Sequence, residues 1–454
     1  VKDTASLDRA HIWHPYTQHG LPPDAVPIAE ARDALLFTTD GRPIVDAISS
    51  WWVTLHGHAN PVIADAISHQ ARHLEQVIFA GFTHEPAARL AAELVERLPA
   101  GLTRVFFSDN GSTAVEVALK IALQYWQNRG LRRPLIAALD CAYHGDTFGA
   151  MSASAAGMFT APFAEHLFEV IRLPAPSAAA SAASDTSAML AALDQVLEER
   201  ADELAAVIVE PRLQGAGGMR MWDNGGEALR AIRSRTTAHD VLLIADEVLT
   251  GFGRTGPLFA CAGAGVLPDI ICLSKGLTGG FLPLGATVVG EPLFDAFRSR
   301  DRHQTFFHGH SYTANPLACA AARASLGLLD TACAQRRADL EADQRRNLAR
   351  IAGHPWVTDP RVLGTIAAFD ILPPTSLGAS AGGGYLAPIG RELAAFALRE
   401  GVLLRPLGNV VYAMPPYCIT PEQLALVYDV IAGFLDDLDG SLSMGARPSA
   451  AASM

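Results

Sequence analysis

An α/β fold built on buried parallel strands follows from three features of the sequence. Short, wholly apolar runs recur along the chain at Leu135 to Leu139, Ala205 to Val209, Val241 to Ala245 and Ile270 to Leu273. Strands covered on both faces need such runs, because neither face meets water. Two of the runs end in chemistry-bearing residues, Asp246-Glu247 and Ser274-Lys275, and open parallel sheets bind their ligands beyond the strand C-termini. The intervening segments carry apolar residues at helical spacing.

At 454 residues the chain exceeds what one hydrophobic core usually serves, so two domains are expected. The formal charge of −12 argues against a nucleic-acid partner. No apolar stretch approaches the roughly 20 residues of a membrane span, and no basic-then-apolar leader opens the sequence, so a cytoplasmic protein is expected. The six cysteines are scattered without a CxxC pair, and free thiols are the default reading. Two His-Gly-His groups, His56 to His58 and His308 to His310, lack carboxylates or cysteines at ligand spacing, so no metal site is expected.

Taken in order, residues 1 to 10 read as a polar entry and 11 to 19 as HIWHPYTQH, where Pro15 prevents a helix and sets Tyr16 on a fixed loop. Residues 34 to 48 alternate like a hairpin around Asp40-Gly41. Ser49-Ser50-Trp51-Trp52 follows, its indoles either core aromatics or a pocket wall. Residues 61 to 78 and 85 to 98 read as helices, and Arg104 to Phe107 as a strand. Ser108 to Thr113 leads into a helix from Ala114 to Trp126, with Thr113 and Glu116 matching a capping box. A strand, a glycine turn and a helix start together present free backbone N–H groups to an anion.

Tyr143 follows the 135 to 139 strand in Tyr143-His144-Gly145-Asp146 and could stack on a flat ring or simply pack. Residues 174 to 189 form an Ala/Ser/Pro-rich loop before a helix near 187 to 200. Glu210-Pro211 ends the next strand; Arg212 after it either touches the pocket or points outward. Residues 317 to 350 read as one long helix, 361 to 371 and 402 to 418 supply strands, and 376 to 385 is a Gly/Ser-rich mobile insertion. A lysine at the end of a buried strand, among Gly276, Gly279 and Gly280, sits where water is scarce. Burial lowers an amine's pKa and makes it a usable nucleophile.

The run Asp246-Glu247-Val248-Leu249-Thr250-Gly251-Phe252-Gly253-Arg254-Thr255-Gly256, with Pro268-Asp269-Ile270 and Ser274-Lys275-Gly276-Leu277-Thr278-Gly279-Gly280 after it, closely resembles the cofactor-lysine region of the class III aminotransferases, enzymes of pyridoxal 5'-phosphate (PLP). That resemblance implies fold type I: a mostly parallel seven-stranded sheet in a large domain, a smaller α+β domain, and a homodimer with active sites at its interface. It implies a large domain over 56–325 and a small one over 326–440 that the segment 1–55 joins; the Ser/Ala/Gly-rich 441–454 reads as a disordered tail. By the same resemblance Lys275 carries PLP covalently, Asp246 pairs with its pyridine nitrogen and Tyr143 lies over its ring. Gly111 and Ser112 fall where the phosphate is held, and His310-Ser311 fall in the segment that reaches a partner's phosphate; proline and threonine are commoner at those two positions. Arg405, in the RP…MPPY arrangement with Tyr412, stands where the substrate carboxylate is clamped, a task that suits a planar guanidinium.

HIWHPYT with SSWW some thirty residues on is similar to the biotin-pathway branch of the class. The branch implies S-adenosylmethionine as amino donor and 8-amino-7-oxononanoate as acceptor. Tyr16, Trp51, Trp52, Tyr143, Gly309, Arg405 and Tyr412, with Lys275, would then shape the substrate pocket. ω-Amino acid and diamine aminotransferases of the same class share Asp246 and Lys275 but not usually that pairing.

Overall fold

The computed structural model describes residues 3–21, 25–176, 185–223, 225–372 and 384–445. Most of the expected insertion (376 to 385) and the middle of the Ala/Ser/Pro-rich loop lie outside those residues. The chain opens with a helix, Thr4–His11, where only a polar entry was expected; Asp3 caps it by accepting from the Ser6 N–H at 2.7 Å. Strands β1 (Ile28–Arg32), β2 (Leu35–Thr38) and β3 (Pro43–Asp46) form an antiparallel meander, with the β2–β3 turn at Gly41, whose φ is 84°.

Seven strands make the central sheet: β4 (Leu102–Ser108), β5 (Leu135–Leu139), β6 (Val170–Leu173), β7 (Leu204–Val209), β10 (Leu242–Asp246), β11 (Ile270–Leu273) and β12 (Gly285–Gly290). A two-stranded hairpin, β8 (Leu213–Gln214) with β9 (Arg220–Met221), lies between β7 and β10 in the chain. The sheet order is β4-β12-β11-β10-β7-β5-β6, and only β12 runs antiparallel to its neighbours. β5, β7, β10 and β11 are buried at every residue, which is why they read as unbroken apolar runs.

The chain's two ends share structure. β13 (Val357–Leu363), β14 (Ile366–Ile371) and β16 (Val410–Ala413) form a three-stranded antiparallel sheet, while β15 (Val402–Leu403) pairs in parallel with β3, Leu403 opposite Asp46. Three expectations need correction. The helix expected over 317 to 350 is two helices, Pro316–Gly327 and Thr331–Ile351, bent by 73°. The helix expected to 78 ends at Ala71. The last helix, Pro421–Gly445, runs into the stretch expected as a disordered tail, of which 446–454 lie outside the described residues. No single helix among the described residues is long and apolar enough to cross a membrane.

Candidate active site

Every large-sheet strand that carries a functional residue delivers it at its C-terminal end, on one edge of the sheet. β4 ends at Ser108 and feeds the helix Gly111–Asn128. Asn110 caps that helix, its Oδ1 accepting from the Thr113 N–H at 2.9 Å while Thr113 Oγ1 accepts from the Asn110 N–H at 3.1 Å. The capping pair is therefore Asn110 with Thr113, not Thr113 with Glu116. Glu116 is turned elsewhere, accepting from the N–H groups of Gly149 and Ala150. The Asn110 cap leaves the first N–H groups of an 18-residue helix directed at the cavity, where Gly111 and Ser112 form part of the wall.

That cavity holds about 430 Å³, and its wall includes Trp52, Gly111, Ser112, Tyr143, His144, Glu210, Asp246 and Lys275. Lys275 begins the turn after β11 with φ 41°. Its side chain is half-buried and lines the cavity. Its Nζ lies 4.7 Å from the centroid of the Trp52 ring. Burial pulls the amine down from its ordinary 10.5 to about 8, against the opposing pull of Asp246 and Glu210.

Asp246 closes β10 and is buried; its Oδ2 lies 2.7 Å from His144 Nδ1 and its Oδ1 accepts from the Val248 N–H. His144 Nε2 is buried with no partner among the described residues. The expectation of two carboxylates delivered together is corrected here. Glu247 points to the opposite face, as alternation along an extended chain requires, and accepts from the Ala260 and Cys261 N–H groups at 2.7 Å each. The second buried carboxylate at the cavity is Glu210, which accepts from the N–H groups of Tyr143 (3.0 Å) and Gly215 (2.9 Å). Burial, reinforced by the Asp246 charge and opposed by His144, pushes its carboxyl up to about 7.

Tyr143 lines the cavity with Trp52, whereas Tyr16, Trp51 and Arg405, expected in the substrate pocket, lie outside its lining. Tyr143 is pushed above the ordinary phenol range by burial and the nearby Asp146. The Tyr16 hydroxyl donates to Asp146 Oδ2 at 2.6 Å, and the Tyr16 ring meets Trp51 edge-on at 5.5 Å. The Arg405 guanidinium lies 4.4 Å over the Trp51 ring and has no carboxylate partner among the described residues. Tyr412 differs from expectation. It is buried behind Trp52, whose Nε1 donates to its hydroxyl at 3.0 Å, so it backs the indole instead of facing the cavity. Arg212 also points away, donating to the carbonyls of Asp223 and Thr255. Gly309, His310 and Ser311 lie outside the lining of this chain's own cavity; the Ser311 carbonyl accepts from Gln76.

The residues present fit PLP. A lowered amine, a buried carboxylate braced by an imidazole, and free N–H groups at a helix start all face one cavity, matching the aldehyde, ring nitrogen and phosphate of that cofactor. A Cβ at Gly111 would come within 2.6 Å of Val248, so the helix start packs too closely for a side chain there. Sequence reading did not assign roles to His144 and Glu210. Both stand beside quoted motifs, but their partners lie 102 and 67 residues away.

The class-III aminotransferase family model matches residues 16–435. A curated adenosylmethionine-8-amino-7-oxononanoate aminotransferase of Synechococcus elongatus is 53% identical over 94% of this chain and 99% of its own. One of the same name from Geobacter sulfurreducens is 38% identical over 94% and 96%. The solved structure of the Methanocaldococcus jannaschii protein of that name superposes with a TM-score of 0.88 at 31% identity, covering 95% of this chain and 98% of the other. An omega transaminase from Pseudomonas jessenii, solved in complex with PMP, gives 0.89 at 25% identity over 98% and 100%.

Proposed function

The chain belongs to the class-III aminotransferases, and from that premise we propose that it moves an amino group from S-adenosylmethionine to 8-amino-7-oxononanoate, giving 7,8-diaminononanoate in biotin synthesis. The observation that carries the substrate assignment is the 53% identity, over nearly the whole of both chains, to a relative whose name states that reaction. The HIWHPYT and SSWW segments, whose Tyr16 and Trp51 meet edge-on, support it.

Bound PLP supplies an electron sink for the carbon that loses its proton. The chain's residues do the rest. Lys275 Nζ would hold that cofactor covalently and, when free, would take the proton from the donor's amino-bearing carbon. An amine brought down to about 8 can both accept and return that proton near neutral pH. Asp246 would keep the pyridine nitrogen protonated, and His144 fixes the orientation of its carboxylate. The N–H groups of Gly111 and Ser112 would hold the phosphate, and Tyr143, also in the cavity wall, would pack against the ring. Trp51, Trp52 and Tyr16 wall the substrate channel, and Arg405 takes the substrate carboxylate from its place over Trp51.

The proposal includes a cytoplasmic homodimer in which Gly309, His310 and Ser311 of each subunit complete the other's cavity. It also includes a large domain over 56–325 with a small domain of 326–440 and the joining segment 1–55, a division supported by the pairing of β15 with β3. Adding S-adenosylmethionine alone to the PLP-loaded protein should convert the cofactor spectrum in one turnover, and 8-amino-7-oxononanoate should then reverse it. Borohydride reduction should place an acid-stable label on Lys275. Conversion by diamines or ω-amino acids but not by S-adenosylmethionine would overturn the substrate assignment, and a label elsewhere would overturn the lysine.

A further inference from the structure

Four successive non-glycine residues, Ser49, Ser50, Trp51 and Trp52, have φ of 52°, 46°, 81° and 75°, a region that L side chains rarely adopt. Such a turn persists only where its surroundings over-determine it. The Ser49 hydroxyl donates to the Met414 carbonyl at 2.8 Å, and one buried carboxylate holds the next residue of the turn. Asp46, fully buried at the end of β3, accepts through Oδ1 from the Ile48 N–H at 3.1 Å. Through Oδ2 it accepts from Ser50 Oγ at 2.8 Å and from His58 Nε2 at 2.9 Å. His58 is itself fixed, its backbone paired with Asp33 in both directions, N–H to O at 2.7 Å and O from N–H at 3.2 Å. The same Asp46 pairs with Leu403 of β15, two residues before Arg405. Asp46 therefore stands beside both segments that meet where Arg405 lies over Trp51, its side chain holding the turn and its strand pairing with β15.

Trp52 is held separately, by Tyr412 at its indole nitrogen and by Arg254 at its carbonyl. The Asp46 bonds consequently bear on the Trp51 side of the turn. His56, the other histidine of the His-Gly-His group, turns away to Ser325.

We propose that Asp46, with Ser50 and His58, forms a positioning clamp that holds Trp51 under Arg405 and so sets the binding site for the carboxylate of the keto substrate. These residues act through Trp51 and touch neither substrate nor cofactor. The inference rests on the substrate reading above, so the wild type is first checked for the S-adenosylmethionine half-reaction. Its failure there overturns that reading and leaves the clamp to be judged on the indole signal, which needs no substrate.

The experiment compares His58→Leu, which removes the donor, with His58→Gln, whose amide N–H reaches about as far. In His58→Leu the KM for 8-amino-7-oxononanoate should rise about tenfold, the effect of one lost hydrogen bond to a buried charge, while the maximal rate of the donor half-reaction stays within about twofold. The near-UV circular dichroism of the indoles should change in parallel, and His58→Gln should restore both. Ser50→Ala, a smaller change, should shift KM and the indole signal in the same direction and guards against a folding failure of His58→Leu. If the variants lose only thermal stability, with KM and the indole signal as in the wild type, the clamp is wrong. A KM equally raised in His58→Leu and His58→Gln overturns it as well.

Discussion

Lys275 has one property that a sequence pattern cannot state, the degree to which its amine is deprotonated before any cofactor arrives. Burial behind Trp52 brings it to about 8. In the cofactor-free protein the neutral, nucleophilic fraction therefore grows as pH rises through about 8, where an ordinary lysine would wait for 10.5. The rate of covalent PLP capture, followed by absorbance after rapid mixing, should climb with a midpoint near 8 and level off above it; a midpoint near 10 would refute the buried amine. The linked stability effect has the matching sign. Between about 8 and 10.5 the unfolded chain binds more protons at this residue than the folded one, so the cofactor-free protein gains stability as pH rises across that window.

Helix ends decide how elements meet the site, and two of them were misplaced by pattern alone. Thr113 and Glu116 satisfy the spacing of a capping box, yet Asn110 caps the helix and Glu116 instead holds the start of the helix Phe148–Ala153. The spacing rule could not separate two overlapping candidates, because the choice depends on which backbone N–H the side chain reaches. Likewise Asp330 begins a new helix inside a stretch whose composition stays helical throughout; its Oδ1 accepts from the Cys333 N–H at 2.8 Å. Because Asp330 is exposed and outside the cavity, Asp330→Ala should lower stability by about 1 kcal/mol in urea unfolding, the usual value of an N-cap. Turnover should be unchanged. A variant of undiminished stability would show that packing of the 73° bend, not the cap, holds the helix start.

Across the whole molecule, one buried guanidinium ties three distant parts of the chain together. Arg254, in the Gly-Phe-Gly-Arg run after β10, donates to the Pro415 carbonyl at 2.9 Å and to the Thr54 and Trp52 carbonyls at 3.2 and 3.5 Å. Arg254→Met should cost about 3 kcal/mol or more, since buried carbonyls lose their donors at both chain ends. Arg254→Lys should recover little, because an ammonium cannot span three acceptors in a planar fork. Denaturant titration of both variants checks this, and a Lys variant equal to wild type would contradict it. Sequence by itself determined where the buried strands fall along the chain and which of them run into Asp246 and Lys275, since continuous burial and strand ends leave local marks in composition. Only the tertiary structure decided that Glu210 enters the cavity while Glu247 leaves it, that Tyr412 backs Trp52, and that His144 braces Asp246. Those outcomes depend on which side of a strand end a side chain falls and on partners up to 360 residues away, and no local window of residues contains either.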